Sequence, residues 1–253
     1  SLEVELRTAI INNELVVHYQ PIHDLKTQKV VAAEALVRWQ HPTKGLIPPI
    51  EFIPLAEDIG FIVNIGDWVL LEACKQAKLW QTQFACSPKI SINVSSIQLH
   101  CPDFIDKLQQ VLEQTQLSPQ LLTLEITESY LIEKGEQTLT KLQNIRELGI
   151  SLSIDDFGTG YSSLSYLKRF PVNILKIDRS FIKGIDSNSE DAALVFAILL
   201  IAESLGLEVV AEGVESKAQY QVLANHNCQF VQGFLFSKPI ASKQLIEYMA
   251  ENT

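Results

Sequence analysis

The stretch KVVAAEALVRW at residues 29–39 decides the fold, because it joins a β-strand pattern to a carboxylate. Its β-branched and small apolar residues predict a buried strand that runs into Glu34. A carboxylate at the end of an apolar strand is costly unless it faces water, a cation or a partner. By strand alternation Glu34, Leu36 and Arg38 share one face. A carboxylate and a guanidinium on one face can serve a metal ion and a phosphate oxygen respectively.

The same arrangement recurs along the chain. Apolar runs ending in ISIN, LLTLE, ISLSIDD, NILK, LEVVAE and QFVQ follow the first. The polar residues at the seven strand ends are Glu34, Asn93, Glu125, Asp155 with Asp156, Lys176, Glu212 and Gln232. Such a series indicates strand ends that meet at one site, as the carboxyl ends of the strands do in a (β/α)₈ barrel. A length of 253 residues is normal for one such barrel.

The first two strands predict a departure from the regular barrel. The strand-like segment ELVVHYQ at 14–20 is separated from the strand at 29–39 by residues 21–28 alone. A parallel crossover needs about a dozen residues or more, so these strands are expected to form an antiparallel hairpin. The interpretation is an α/β fold, a TIM-like (β/α)₈ barrel variant with an antiparallel first strand. No linker or low-complexity tract interrupts the chain, so residues 1–253 are interpreted as a single domain.

Strand and helix patterns then alternate to the end of the chain. Strands are expected at 89–94, 121–127, 150–155, 172–177, 207–211 and 229–231. Helices are expected near 50–59, 67–81, 103–115, 136–148, 192–202 and 216–224. Ser187 and Glu190 match a capping box before the apolar run at 192–202, which favours a buried helix.

Composition narrows the class of function. The formal net charge of −10 and the pI near 5.0 argue against binding a nucleic-acid polymer through a basic surface. The four cysteines form no C-x-x-C pair, and Cys74 has the helical spacing of a buried structural thiol. Reduced cysteines and the absence of a signal peptide predict a cytoplasmic location. The longest apolar run is too short to span a bilayer, so no membrane contact by this segment is expected.

The candidate ligands favour hard divalent cations. The five histidines show no clustered ligand spacing, and no Walker loop, G-x-S-x-G elbow or H-E-x-x-H motif is present. Oxygen ligands without histidine or thiolate favour Mg²⁺ or Mn²⁺ over zinc. Adjacent Asp155 and Asp156 would repel each other without a cation, yet together they could bind two metals. A lone strand-end carboxylate is more often a helix N-cap, so the interpretation depends on the whole series.

The motifs together resemble one family. The chain resembles the EAL domain, the bacterial phosphodiesterase of cyclic di-GMP, over nearly its full length. The naming motif is Glu34-Ala35-Leu36-Val37-Arg38. The other matching stretches are YQPI at 19–22, FIPLAEDIG at 52–60, SINVS at 91–95, LEITES at 124–129, DDFGTGYSSLSYL at 155–167, LKIDRSF at 175–181, AEGVE at 211–215 and QGFLFSKP at 232–239. EAL alone would carry no weight, whereas the set is highly specific.

The resemblance implies a role for each candidate residue. Metal ligands would be Glu34, Asn93, Glu125, Asp155, Asp156 and Glu212, with Asp155 bridging two Mg²⁺ or Mn²⁺ ions. Catalytic residues would be Lys176, which contacts the attacking water, Gln232, which orients water or substrate, Glu128, which braces the loop at 156–163, and Glu34. Substrate contacts would come from Arg38 to a phosphate and from Leu36, Gln20 and Asp178. Supporting residues would be Glu215, Gly158, Thr159 and Gly160. The implied reaction is two-metal hydrolysis of cyclic di-GMP to linear pGpG.

The resemblance also implies partners. A homodimer is expected, with the region around the loop and the amphipathic stretch 164–170 at its interface, and flanking regulatory or GGDEF-type domains in a longer protein. Two alternatives remain. A catalytically silent EAL domain would act as a cyclic di-GMP receptor or docking module, and its usual sign, loss of a metal ligand, is absent here. A different metal-dependent barrel hydrolase acting on a simpler phosphodiester would need another pocket, and no histidine pair supports it.

Overall fold

Strands that close into a barrel form the centre of the computed structural model. The structure describes residues 2–85, 87–159 and 167–251, apart from the side chains of 132–137. The strands are β1 (Leu15–Asp24), β2 (Val30–His41), β3 (Gly45–Ile47), β4 (Lys89–Asn93), β5 (Leu122–Thr127), β6 (Ser151–Phe157), β7 (Ile174–Ile177), β8 (Glu208–Ala211), β9 (Phe230–Val231) and β10 (Ile240–Ala241). The order around the barrel is β1–β2–β4–β5–β6–β7–β8–β9, and β9 returns to β1. Strands β3 and β10 extend the edges of β2 and β1.

The first strand runs against all of its neighbours. Strand β1 pairs antiparallel with β2, from Leu15 opposite Trp39 to His23 opposite Val30, and antiparallel with β9 through His23 and Val231. From β2 through β9, each successive barrel pair is parallel. The predicted TIM-like barrel variant with an antiparallel first strand is therefore confirmed. The physical cause is the short β1–β2 connection, which can reverse the chain but cannot cross the barrel.

Helices cover the outside of the barrel. They are α1 (Leu2–Ala9), α2 (Pro49–Asp58), α3 (Ile62–Gln83), α4 (Ser96–His100), α5 (Phe104–Thr115), α6 (Glu128–Glu147), α7 (Arg179–Ile182), α8 (Ser189–Leu205), α9 (Lys217–Asn225) and α10 (Ser242–Glu251), with a 3₁₀ turn at Pro119–Leu121. Helix α6 begins earlier than predicted, directly after β5. The predicted capping box before α8 is wrong, because the N-cap is Asn188, whose side chain accepts from the Glu190 N–H at 3.0 Å.

Helix α8 is buried on one side only, which corrects the expectation of a buried helix. Val195 and Ile198 are buried against the barrel core. Leu194 and Leu200 on the same helix are 42% and 64% exposed. Cys74 is buried as predicted, and burial raises the pKa of its thiol to about 12. Among the described helices, none combines the length and the apolar content needed to cross a membrane.

A buried histidine makes the stability of the fold depend on pH. His23 is 1% exposed, its ring stacks on Phe236 at 4.4 Å, and its Nε2 lies 2.9 Å from Tyr248 Oη. Burial lowers the pKa of His23 from 6.5 to about 4. The folded state therefore keeps the ring neutral, while the unfolded chain protonates it below pH 6.5. The free energy of unfolding thus falls as the pH drops from 6.5 towards 4.

We predict that His23→Phe, which keeps the ring stack, loses this part of the pH dependence. Between pH 7.5 and pH 5 the wild type should lose about 2 kcal/mol more of its unfolding free energy than the variant does. Urea unfolding at the two pH values measures the difference, and the carboxylates common to both proteins cancel. An equal loss in both proteins would show that His23 titrates normally in the folded state.

Candidate active site

A buried lysine gathers the strand-end carboxylates at the carboxyl end of the barrel. Lys176, on β7, is 1% exposed. Its Nζ lies 2.6 Å from Glu125 Oε2 and 2.6 Å from Glu212 Oε1. The same Nζ lies 3.3 Å from Asp155 Oδ1 and 3.4 Å from Glu34 Oε2. Four strands thus place carboxylates around one ammonium group, as the barrel geometry predicts for inward residues at the carboxyl ends.

Amide side chains hold Glu34 from the other side. Asn93 Nδ2 donates to Glu34 Oε1 at 2.7 Å, and Gln232 Nε2 donates to Glu34 Oε2 at 2.7 Å. Gln232 Nε2 also lies 3.1 Å from Gln20 Oε1, and Gln20 Nε2 donates to the Ser237 carbonyl at 3.1 Å. Both carboxylate oxygens of Glu34 therefore have fixed donors. The structure brings together β1, β2, β4 and β9 through these three amides.

A β-bulge aims both neighbouring aspartates at the site. Between Ile154 and Phe157 the pairing of β6 with β7 shifts. Carboxylate oxygens of both Asp155 and Asp156 lie near one of Glu212. Asp156 has a φ of 55°, in the left-handed region that non-glycine residues seldom adopt. In a regular strand adjacent side chains point to opposite faces, and a bulge relieves that constraint. The bulge is why both carboxylates can act in one site.

Asp155, Asp156 and Glu212 form a cluster suited to a cation. One carboxylate oxygen of each lies within 4.8 Å of the others. Asp155 Oδ1 is buried, and apart from its ion pair with Lys176 it accepts no hydrogen bond from any described residue. One ammonium group cannot neutralise these three carboxylates together with Glu34 and Glu125. Carboxylate and amide oxygens are the donors that Mg²⁺ and Mn²⁺ prefer, so the residues present fit such ions.

Burial is the largest influence on the pKa values of these acids, and neighbouring carboxylates add to it at Glu125 and Glu212. Burial raises the pKa of Glu212 to about 8, against the opposing effect of Lys176. Burial likewise raises the pKa of Glu125 well above its usual range. Burial would also raise the pKa of Glu34, but Lys176 and the two amides outweigh it and lower that pKa. Burial would lower the pKa of Lys176, but the carboxylates around it raise it well above its usual value. The surrounding carboxylates therefore favour a charged Lys176.

The loop after β6 is held by a residue outside the carboxylate cluster. Glu128, the first residue of α6, is buried, and its Oε2 accepts from the Gly158 N–H at 3.0 Å. Gly158 has a φ of 97°, and a Cβ there would lie 2.9 Å from the ring of Phe181. Thr159 Oγ1 donates to the Asp156 carbonyl at 2.8 Å. Gly160 and the rest of the predicted loop to 163 lie outside the described residues, as do residues 164–166.

Two of the remaining candidates, Arg38 and Asp178, lie close enough to the carboxylate cluster to interact with its charges. Arg38 is half-buried and donates from Nη1 to the Val37 carbonyl at 2.8 Å. Burial lowers the pKa of its guanidinium, against the opposing charge of Glu34. Asp178 caps α7 by accepting from the Ser180 N–H at 2.9 Å. The pKa of Asp156 is raised mainly by burial, and the charge of Asp178 raises it further. Glu215 is exposed, and its backbone N–H donates to Gln219 Oε1 at 2.8 Å.

A cavity beside the cluster was not predicted from the sequence. It has a volume of about 310 Å³ and lies between β2, β4 and helices α2 and α3. Its lining includes Leu36, Ile53, Ile62, Asn93 and Glu125. Ile53 falls within the quoted stretch FIPLAEDIG, which was matched without any assigned role. Phe234, two residues after Gln232, is also missing from the prediction, and its side chain is 55% exposed.

Comparison with known sequences identifies the family. The family described as the EAL domain matches residues 3–239. The chain is 44% identical over 246 residues to the bifunctional diguanylate cyclase/cyclic di-GMP phosphodiesterase MucR of Pseudomonas aeruginosa, covering 97% of this chain and 36% of MucR. It is 44% identical over 248 residues to the cyclic di-GMP phosphodiesterase NbdA of the same organism, covering 98% of this chain and 32% of NbdA. The chain thus spans about a third of the length of these relatives.

A solved structure agrees with the sequence match. The structure titled "PaMucR Phosphodiesterase, c-di-GMP complex" superposes with a TM-score of 0.94 at 43% sequence identity, covering 97% of this chain and 100% of that one. On the family match and the structural match together, the chain belongs to the EAL domain family.

Proposed function

We propose that this chain is a metal-dependent phosphodiesterase that hydrolyses cyclic di-GMP to linear pGpG. The observation that carries the proposal is the convergence of Glu34, Glu125, Asp155 and Glu212 on Lys176 Nζ within 3.4 Å. A receptor would have no need of so many buried acids around a lysine, whereas hydrolysis of a phosphodiester uses cations and a positioned water. The 43% identical chain solved with c-di-GMP supports the choice of substrate.

The residues of the site would have separate roles in the reaction. Glu34, Asn93, Glu125, Asp155 and Glu212 would hold one cation, and Asp155 with Asp156 a second. Mg²⁺ or Mn²⁺ held there would supply positive charge that activates water near neutral pH and neutralises the phosphodiester. Lys176 Nζ would donate a hydrogen bond to the attacking oxygen. Gln232 would orient that water or the substrate, since its buried Oε1 accepts no hydrogen bond from any described residue.

The substrate would lie across the cluster and the neighbouring cavity. The cavity of about 310 Å³ has apolar walls at Ile53 and Ile62 and a polar end at Asn93, which suits a flat base. The exposed ring of Phe234 offers a stacking surface for the other base. Arg38 would contact a phosphate oxygen, with Leu36, Gln20 and Asp178 completing the contacts. Glu215 and the glycines of the loop would have supporting roles.

We also propose that residues 1–253 act as a catalytic domain of a longer cytoplasmic signalling protein with flanking regulatory or GGDEF-type domains. The support is that the chain spans about a third of its curated relatives, with 36% of MucR and 32% of NbdA covered. The longer protein's net activity would then depend on those domains as well.

The first prediction for this site concerns the cation. Activity should require Mg²⁺ or Mn²⁺, vanish with a chelator and return when the metal is restored, because hard oxygen ligands surround the site. Ca²⁺ should bind yet support poor turnover, since it prefers looser, higher coordination. Chromatography of cyclic di-GMP and pGpG after incubation measures the reaction. Full turnover in metal-stripped protein would refute the two-metal mechanism, and binding without product in Mn²⁺ would favour the receptor.

The second prediction separates the lysine from the metal ligands. Lys176→Met and Glu34→Gln should each lower turnover at least about a hundredfold, the scale for losing a positioned catalytic group. Lys176→Met should also destabilise the metal-free protein, because it leaves buried carboxylates uncompensated. Turnover is therefore measured with metal present, on protein whose folding is verified by circular dichroism. Lys217→Met, which changes an exposed lysine, is the matched control. Near-normal turnover in either site variant would show that its role is misassigned.

We further propose a two-fold homodimer that favours the active loop conformation. Gly158, bound to Glu128, lies against Phe181 and would bring a Cβ within 3.6 Å of Ile198 on α8. The start of the loop therefore packs on the helix that exposes Leu194 and Leu200. An exposed apolar helix face of this kind suits a second copy of the chain. A contact between two copies at this helix face would be linked to Asp156 through Ile198 and Gly158.

The third prediction tests this coupling. Leu200→Glu should produce a monomer with reduced turnover per chain, because a charge on the proposed interface opposes association. Glu128→Ala should reduce turnover without changing the mass, because it removes the acceptor for Gly158. Light scattering and turnover across a dilution series give both readings, and Leu79→Glu on α3, at a residue 53% exposed, is the control. A wild-type monomer with undiminished turnover at every dilution would rule the coupling out.

A further inference from the structure

The cavity of about 310 Å³ beside the carboxylate cluster continues into the layer between the barrel and helix α3. Ile62, Gly66 and Val69 line one side of it, and their spacing of four and three residues places them on one face of α3. Ala35 and Val37 on β2 line the other side, and by strand alternation they point away from the barrel interior. The cavity therefore offers a ligand apolar walls, and the few polar groups in those walls decide which ligand fits.

One buried polar side chain lies in this wall. Gln98, on α4, lines the cavity and is 2% exposed. Its amide group lies flat against Gly66, because a Cβ at Gly66 would overlap the amide oxygen, carbon and nitrogen alike. Glycine inside a helix destabilises that helix relative to alanine, so its presence there calls for a packing or functional reason. The space that Gly66 leaves for the Gln98 amide is such a reason.

The orientation of this amide is fixed by Asp67. Gln98 Nε2 donates to Asp67 Oδ1 at 3.0 Å, and Lys107 Nζ donates to Asp67 Oδ2 at 2.7 Å. An ionised carboxylate only accepts hydrogen bonds, so the NH₂ end of the amide must face Asp67 and the oxygen end must face away from it. Gln98 Oε1 is therefore an acceptor with a fixed direction.

The amide oxygen of Gln98 is free to accept a hydrogen bond from a ligand. Oε1 accepts none from any residue that the structure describes, yet it keeps some accessible surface. Because Gln98 as a whole is 2% exposed, that surface faces the cavity that the residue lines. A buried acceptor without a partner is costly, so the wall favours a ligand that brings an N–H or O–H donor to it.

We propose that Gln98 determines the base specificity of this site, an inference that rests on the proposed function. Its Oε1 accepts a hydrogen bond from the Watson–Crick edge of the guanine base that enters the cavity. Guanine carries the adjacent N1–H and N2 amino donors on that edge, whereas the N1 of adenine is an acceptor. The Ser95 hydroxyl also lines the cavity, accepts from the Gln98 backbone N–H at 3.1 Å, and can donate to the guanine O6. An adenine in the same position would set its N1 against Oε1, acceptor against acceptor.

Competition of cyclic di-GMP and cyclic di-AMP against a fluorescent cyclic di-GMP, with Ca²⁺ present to keep turnover slow, tests the proposal. The wild type should bind cyclic di-GMP at least about a hundredfold more tightly than cyclic di-AMP. Gln98→Met keeps the length of the side chain and removes the acceptor, so it should lower that ratio about tenfold. Loss of the bond to Asp67 would affect both dinucleotides equally and leave the ratio unchanged. Gln76→Met, at a half-buried glutamine of α3 outside the cavity lining, is the matched control.

A crystal structure of the wild type with cyclic di-GMP and Ca²⁺ gives a second reading that needs no variant. Gln98 Oε1 should lie within about 3.2 Å of a guanine N–H nitrogen. A base bound outside the cavity, or an unchanged ratio in folded Gln98→Met, would overturn the proposal. Guanine-specific binding without product in Mg²⁺ or Mn²⁺ would refute the proposed hydrolysis and leave the role of Gln98 standing. Product formation with an unchanged base preference in Gln98→Met would do the reverse.

Discussion

The buried ammonium group of Lys176 is the constraint on which the rest of the site depends. It lies within 3.4 Å of carboxylates from four different strands, and it is almost completely removed from solvent. Buried charges are tolerated only when they are paired and hydrogen bonded. Only a closed barrel brings the ends of β2, β5, β6 and β8 around β7 in this way. The closure by an antiparallel β1 then adds Gln20, which joins the amide network around Glu34.

The strand pattern predicted the polar residues that surround Lys176, because each lies at an inward position at the end of an apolar run. The antiparallel first strand was predictable for a different reason. The length of the β1–β2 connection can be read from the sequence, and a connection this short excludes a parallel crossover. The extra edge strands β3 and β10 and the short helices α4 and α7 were missed, as they carry little hydrophobic periodicity. The start of α6 was missed because Glu128 both ends the strand region and begins the helix.

The adjacent residues Asp155 and Asp156 show where strand alternation fails to predict which side chains reach the site. A regular strand would turn one of these carboxylates away from the site, and the sequence alone does not reveal a bulge. The bulge depends on tertiary pairing with β7 and on a left-handed backbone at Asp156, with φ at 55°. The cavity lined by Ile53 and Ile62 was hidden for a related reason, since those residues come from helices that only packing brings to β2 and β4.

The same lysine explains why the barrel interior is uneven. Acids gathered on one ammonium group need polar neighbours, and the layer below Glu125 supplies Ser91, Thr123 and Ser153 on β4, β5 and β6. On β1, β7 and β8 the interior at that depth is filled by Ile22, Ile174 and Val210 instead. Bulky branched residues in all positions would pack the barrel better but would leave Glu125 against hydrocarbon. Small hydroxyl residues therefore lie beneath Glu125, and apolar side chains fill the opposite side of the same layer.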